Sequence, residues 1–260
     1  MKKISSIVVI LLMSLSLVAC GNGGETKSAP EKEKNEKVTI YVTRHGKTMF
    51  NQVHRAQGWS DTPLTKDGRD VASDLGKGLK EKKIDFDAVY TSDSGRARET
   101  AELILKAMGE EKKEVNESPK LRENGFGIFE GDFDENMWGK AAKTLGYKDM
   151  DDLVANLDKV GLDKAVDAIV ANDTSKQAET RAEVKKRMQA EMKEIAEKQR
   201  KAGGGKVLVV SHGMAITSMI SDWTDADTDQ QLPNASVTEL TYENGKFTVG
   251  KIGDTSYIEE

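Results

Sequence analysis

The chain has 260 residues, 37% hydrophobic and 32% charged, an ordinary globular composition that removes support for collagen-like, coiled-coil and multi-span membrane architectures. Its 39 Lys and Arg face 44 Asp and Glu, a formal net charge of -5, so it lacks the broad basic field of a general nucleic-acid binder and no nucleic-acid partner is expected. The single Cys excludes an intrachain disulfide and any Cys-based zinc cluster within one chain.

In chain order, Lys2 and Lys3 precede an apolar run from Ile7 to Ala19 that stops at Cys20. The charged start, the short apolar core and the small residue before the break predict a secretory signal peptide over residues 1–19. Leu17-Val18-Ala19-Cys20 resembles a bacterial lipobox, which implies cleavage before Cys20 and a diacylglycerol on its sulfur. The expectation is an exported protein, lipid-anchored to the outer face of the cell membrane. The competing readings are a plain signal peptide and an uncleaved anchor. Residues 20–37 hold Gly, Asn, Ser, Pro, Glu and Lys with almost nothing apolar, the composition of a flexible tether. With the six Lys and four Glu of residues 1–37 set aside, the domain predicted over 38–260 keeps 33 basic and 40 acidic residues and is more acidic than the whole.

Within that domain, Val38–Thr43, Phe86–Tyr90 and Lys206–Val210 are short, rich in β-branched and aromatic residues, and read as buried strands. Helical patterns separate them. Thr65 is placed as the N-cap of a helix with Val71, Ala72, Leu75 and Leu79 inward, and Ala97, Ala101, Ile104 and Met108 mark a second. A third is predicted from about Gln177 to Lys201, stopped by Gly203-Gly204-Gly205. Residues 132–175 read as a helical insertion or lid, and Val237–Tyr242 with Lys246–Lys251 as a β-hairpin turning at Asn244-Gly245. The expected fold is α/β, three-layer αβα, with a mostly parallel central sheet, helices on both faces, the helical insertion and the C-terminal β-hairpin.

In open α/β sheets, ligands bind beyond the carboxyl ends of the strands. The first strand runs into Arg44-His45-Gly46, the second reaches Arg96, and the last runs into Ser211-His212-Gly213, so two of the three histidines end strands. If these strands are neighbours, two Arg and two His converge and form a cationic pocket suited to a phosphoryl group, with the glycines letting backbone N–H groups approach. A metal site is the competing chemistry, but neither His has a second at helical or hairpin spacing, and none is expected. Gly203-Gly204-Gly205-Lys206 precedes a strand instead of joining strand to helix, so it reads as a linker and not a phosphate loop.

Thr43-Arg44-His45-Gly46 with Asn51 resembles the signature of the histidine phosphatase superfamily, the phosphoglycerate mutase-like fold. Gly58-Trp59-Ser60-Asp61-Thr62-Pro63-Leu64-Thr65, the Arg96 segment Thr91–Ala97, Leu121-Arg122-Glu123 with Glu130-Gly131, and Val210-Ser211-His212-Gly213 resemble its further motifs in the family's order. The resemblance covers about residues 38–215. It implies that His45 attacks phosphorus and forms a phosphohistidine, that Arg44, Arg96 and His212 hold the phosphate oxygens, and that Glu123 donates the proton to the leaving group. Glu123 would need desolvation by the loop that carries Phe126 and Phe129, and His212 would need a pKa raised by bound phosphate. Asn51, Gln57 and Gly58 match substrate-binding positions, with loop structure as their alternative use. Lys47 departs from the Glu or Gln often found at its place. No cofactor is implied. The expected activity is hydrolysis of a small phosphorylated substrate outside the cytoplasm. The alternatives are phosphoglycerate mutase-type transfer and, from another class, a non-catalytic solute-binding lipoprotein.

Overall fold

The computed structural model describes residues 36–258; the expected signal peptide, Cys20 and most of the tether lie outside the described residues. Six strands, β1 (Val38–Arg44), β2 (Ala88–Ser92), β3 (Val115–Ser118), β4 (Gly205–Ser211), β5 (Val237–Glu243) and β6 (Lys246–Val249), form one sheet in the order β3-β2-β4-β1-β5-β6. β1 to β4 are mutually parallel where they pair, and β5 and β6 add antiparallel at one end. The helices are α1 (Met49–Gln52), α2 (Lys66–Glu81), α3 (Gly95–Met108), α4 (Asp134–Thr144), α5 (Met150–Val154), α6 (Leu157–Val160), α7 (Leu162–Asn172), α8 (Arg181–Lys201) and α9 (Gly213–Ile220).

The period of two along each strand assigns side chains to two cores. Val38, Ile40 and Val42 of β1 and Val207 and Val209 of β4 pack with Val184, Met188 and Met192 of α8 and Ile216 and Ile220 of α9. Tyr41, Leu208 and Val210 point the other way, onto Leu75 and Leu79 of α2 and Ala101 and Ile104 of α3. The expected three-layer αβα arrangement is therefore the observed one. A third cluster belongs to the insertion, where Met137 and Ala141 of α4, Leu153 of α5, and Ala165 and Ile169 of α7 pack with Phe126 and Phe129. The turn after β5 has φ of 53° at Asn244 and 76° at Gly245, the two left-handed residues a type I′ hairpin needs.

Some boundaries differ from expectation. β2 begins two residues later than predicted, although Phe86 is buried against the same core. β3 was not anticipated, because Val-Asn-Glu-Ser offers one apolar residue at a sheet edge. α9 was not anticipated either; Ala215 to Ile220 are all buried, so no polar face marks the helical period. α8 starts at Arg181 because the Gln177 and Ala178 N–H groups are already bound to Asp173, and Thr180 forms a capping box with Glu183. β6 ends at Val249, where Gly250 and Lys251 continue as an irregular pairing with Glu239.

Asp173, at the end of α7, fastens the insertion to the body. Its carboxylate accepts from the N–H groups of Ile128, Ser175, Gln177 and Ala178 and from the Ser175 hydroxyl. Burial alone would raise its pKa, but these donors outweigh burial and hold the carboxyl well below the usual range. Asp173→Ala leaves these backbone donors without their acceptor, so a loss of about 2 to 3 kcal/mol is expected in urea unfolding, with Asp173→Asn intermediate.

Candidate active site

Strand register brings the candidate residues together. Arg44 pairs with Ser211 across β1 and β4, and Thr91 of β2 pairs with Val210 on the other side of β4. The segments leaving these strands thus carry Arg44-His45, His212 and Ser94-Gly95-Arg96 to the carboxyl edge of the sheet. The His45 and His212 rings lie edge to face with centroids 5.2 Å apart, and Arg44, His45, Arg96 and His212 are all buried.

The guanidinium groups are held mainly by backbone carbonyls. Arg44 Nη1 donates to the Leu232 carbonyl at 2.5 Å. Arg96 Nη1 donates to the Ser60 carbonyl at 2.9 Å and to Asp61 at 3.0 Å, and Nη2 donates to the Gly58 carbonyl at 2.7 Å. Arg44 Nε, Arg96 Nε and His212 Nδ1 are buried and have no hydrogen-bond partner among the described residues. Unpaired buried donors are rare in a folded interior; the two guanidinium Nε–H groups are such donors, able to serve an anionic acceptor, and His212 Nδ1 joins them when it carries the ring proton.

His45 Nδ1 lies 2.7 Å from the Gly46 carbonyl. A carbonyl can only accept, so Nδ1 carries the proton and Nε2 keeps its lone pair. Asn234 Nδ2 donates to the His45 carbonyl at 2.9 Å and fixes the backbone there. Burial, then the charges of Arg96 and Arg44, push the His45 pKa well below the ordinary value of 6.5. Burial, Arg96 and His45 do the same to His212, opposite to the raised pKa that the sequence reading attached to the phosphate-bound state. The described residues around the ring supply cations, and only a bound dianion would favour a second positive charge there.

Glu123 is buried at the start of α9. Its Oε1 accepts from the N–H groups of Ala215 at 2.7 Å and Asn124 at 2.9 Å, and Oε2 accepts from Met214 at 3.1 Å. Backbone donors, more than the expected aromatic loop, are its immediate surroundings; Phe126 lines the same cavity, whereas Phe129 packs inside the insertion. Oε2, with one donor, is the oxygen with room for a proton.

The other predicted positions divide between cavity and scaffold. Asn51 and Gln57 line the cavity, but Asn51 Oδ1 also accepts the Thr48 N–H, and the Gln57 amide spans Thr48 Oγ1 at 2.5 Å and Thr62 Oγ1 at 2.9 Å. Gly58 offers its carbonyl to Arg96, and a Cβ there would stand 2.1 Å from the Asn124 carbonyl oxygen. Gly46 corrects the expectation of an N–H free for a ligand. Its N–H donates to Thr100 Oγ1 at 3.0 Å, and its Cα packs on Gly68, whose carbonyl oxygen a Cβ would meet at 2.3 Å.

Sequence reading missed the fasteners. Glu130 accepts four backbone N–H groups, from Gly58, Trp59, Ser60 and Phe126, and so joins the Arg96-binding loop to the Glu123 loop. Arg187 donates to the Arg122 and Glu123 carbonyls at 2.6 and 2.7 Å while paired with Glu179, and Arg122 grips Asp93 with two bonds. An Arg on the sheet-facing side of α8 was the available signal. Among the described residues, no group of three His, Cys, Asp or Glu side chains is placed to hold a metal ion.

A buried cationic site at the carboxyl edge of an open α/β sheet is the arrangement of an enzyme that handles an anionic group. The chain belongs to the histidine phosphatase superfamily (branch 1), whose family model matches residues 40–255. It is 45% identical to the crystal structure of phosphoglycerate mutase from Bacillus anthracis str. Sterne, with a TM-score of 0.81 over 86% of this chain and 96% of that one. The broad-specificity phosphatase YOR283W of Saccharomyces cerevisiae is 28% identical over 242 residues, covering 90% of this chain and 94% of the yeast protein. A protein of Erwinia tasmaniensis named "Probable phosphoglycerate mutase GpmB" is 28% identical over 230 residues, covering 85% and 95%. The chain is thus an enzyme of the phosphatase and mutase kind, which sets aside the solute-binding reading.

The two histidines make stability depend on pH. In the unfolded chain both take up protons near pH 6.5, and the folded, ligand-free site resists them. Their contribution is therefore full above about pH 6.5 and is lost as pH falls through that value toward the folded pKa, by up to about 1.4 kcal/mol per pH unit for each. Urea midpoints from pH 8 to pH 5 in phosphate-free buffer should fall less steeply for His45→Gln than for the parent; parallel curves would refute the assignment.

Proposed function

We propose that the protein is a phosphomonoesterase that works through a phosphohistidine on His45, requires no metal and acts outside the cytoplasm on a small phosphorylated substrate, tethered by a lipid on Cys20. The observation that carries the catalytic reading is the pairing of His45 Nδ1 with the Gly46 carbonyl, which leaves Nε2 unprotonated in the field of Arg44 and Arg96. Their orphaned Nε–H groups and His212 Nδ1 are the donors for the non-bridging phosphate oxygens.

In the first step Nε2 of His45 forms an N–P bond as the ester P–O bond breaks, and the departing oxygen takes a proton from Glu123 Oε2. In the second, water forms a new P–O bond and returns a proton to Glu123 as the N–P bond breaks and phosphate leaves. The incoming dianion supplies the negative charge that lets His212 become a cation, so binding takes up a proton at neutral pH. Asn51 and Gln57 contact the substrate from the cavity wall, and Gly58 acts by seating Arg96.

Phosphoglycerate mutase-type transfer is the second reading, favoured by the 45% identity to the Bacillus anthracis protein of that name. A mutase needs a phosphorylated primer and must keep water from the phosphohistidine, and an exported enzyme meets little bisphosphoglycerate. With 2,3-bisphosphoglycerate supplied, interconversion of 2- and 3-phosphoglycerate outpacing phosphate release would favour transfer.

His45→Ala should abolish both p-nitrophenyl phosphate turnover and an acid-labile, base-stable phosphoenzyme, and EDTA should leave the parent's turnover intact. Glu123→Gln should slow alkyl phosphates by about 10²- to 10⁴-fold and p-nitrophenyl phosphate much less, since nitrophenolate leaves without a proton. Equal losses on the two would remove the acid role.

The anchor is tested separately. The parent should incorporate radiolabelled fatty acid and sediment with membranes, and Cys20→Ala should do neither. Labelling that survives the substitution would refute the lipidation site.

A further inference from the structure

The cavity in front of the cationic site has a volume of about 370 Å³ and two unlike ends. Arg44, Glu123 and Gly213 line its inner end, while Met137, Trp138, Val154 and Leu162 of the insertion line its outer end. Among the lining residues Arg55 is the only cation besides Arg44. Its guanidinium lies 3.9 Å from the centre of the Phe133 ring and donates to the Gly131 carbonyl at 2.5 Å. Asp134 lines the same stretch, and Asp229 at the rim is committed to Arg181 at 2.8 Å and to the Leu162 N–H. A second, mostly apolar cavity of about 410 Å³ lies on the far side, and Asp134, Trp138, Val154 and Leu162 line both. Phe133 and Val154 are 47% and 58% exposed beside it, large apolar side chains left facing open space at the approach to a charged site.

We propose that the alcohol half of the substrate is apolar and uncharged, an alkyl or aryl group that lies along the Trp138–Val154 wall and runs toward the second cavity, with its phosphate at Arg44. The inference rests on the phosphomonoesterase reading and deepens it by naming the substrate class. A phosphorylated carboxylic acid is disfavoured because along the insertion wall its carboxylate would meet apolar side chains, Asp134 and one guanidinium already stacked and hydrogen-bonded. Besides the acidic Glu123 and Asp229, the remaining polar lining, Asn51, Gln57, Thr217, Gln230 and Gln231, is uncharged. An alkyl chain replaces water against these same side chains and gains from each buried methylene. Ligand pockets commonly join a few fixed polar groups to an apolar wall in this way, the polar end orienting and the apolar end binding.

The unbranched series from ethyl to hexyl phosphate tests this, because the leaving oxygen changes little while the buried area grows. With phosphate release as the readout, kcat/KM should rise about three- to fourfold per methylene, and hexyl phosphate should exceed 3-phosphoglycerate by at least about tenfold. A flat or falling series, or a preference for 3-phosphoglycerate, would overturn the proposal. Trp138→Ala and Val154→Arg, the latter at an exposed position, should each reduce the gain to less than about twofold per methylene. An undiminished slope in both folded variants would also overturn it. Failure to hydrolyse p-nitrophenyl phosphate at all would remove the phosphomonoesterase reading and this inference together; hydrolysis of it with a flat alkyl series would remove the inference alone.

Discussion

The site depends on burying two arginines with a carboxylate bonded to only one of them, Arg96. Moving a charge out of water is costly unless dipoles or counter-ions replace the water, and in most folds a carboxylate does so. Here the Leu232, Ser60 and Gly58 carbonyls do much of that work, with Asp61 as the one carboxylate bonded to Arg96. Carbonyl dipoles solvate a guanidinium but do not cancel its charge, so a positive potential survives at the sheet edge. That potential has two effects. It favours an anion at the site, and it joins burial in suppressing protonation of His45, keeping Nε2 available at neutral pH. In the proposed function, one electrostatic feature thus both recruits the substrate and prepares the nucleophile.

Several carboxylates of the acidic body hold loops instead. Glu130 and Asp173 each accept four backbone N–H groups and hold loops, and Glu179 is spent on Arg187. The loops they hold present Arg96, Glu123 and the start of α8. A carboxylate in this role sees an array of N–H dipoles, the converse of the carbonyls around the arginines. Glu123 shows both aspects, since it accepts two N–H groups at the start of α9 and that of Asn124 and also lines the cavity.

What the sequence made legible follows from how local each signal is. β1, β4 and the helices α2, α3 and α8 announce themselves because strand composition and the helical stripe lie within a dozen or so residues. Arg44, His45, Arg96 and His212 were readable because each follows a strand, and parallel pairing brings strand ends to one edge. β3 and α9 were illegible for opposite reasons, the first having too little apolar character to show a period and the second too little polar character. Gly46 and Gly58 could be found but not interpreted. Their need for small size comes from Gly68 and from the Asn124 carbonyl, contacts between segments far apart in the chain. Glu130, Asp173 and Arg187 act on backbone groups, which carry no sequence label.

In the proposed function, the two ends of the substrate are met by parts of the chain built in different ways. The phosphate end is assembled from β1, β2 and β4 and from loops locked by Glu130 and Arg187, segments that span most of the domain and cannot change singly. The proposed alcohol end is dominated by α4, α5 and the start of α7, a continuous stretch with its own apolar cluster, joined to the body through Asp173, through Asp229 at the Leu162 N–H and through Arg181 at Asp163. A rigid, long-range site suits a group that is the same in every phosphomonoester. A local, independently packed wall suits the part that differs, because side chains there can be exchanged without disturbing the arginines. On the proposed function, chemistry and specificity are therefore separable in this fold, and the insertion is the part assigned to differences among substrates.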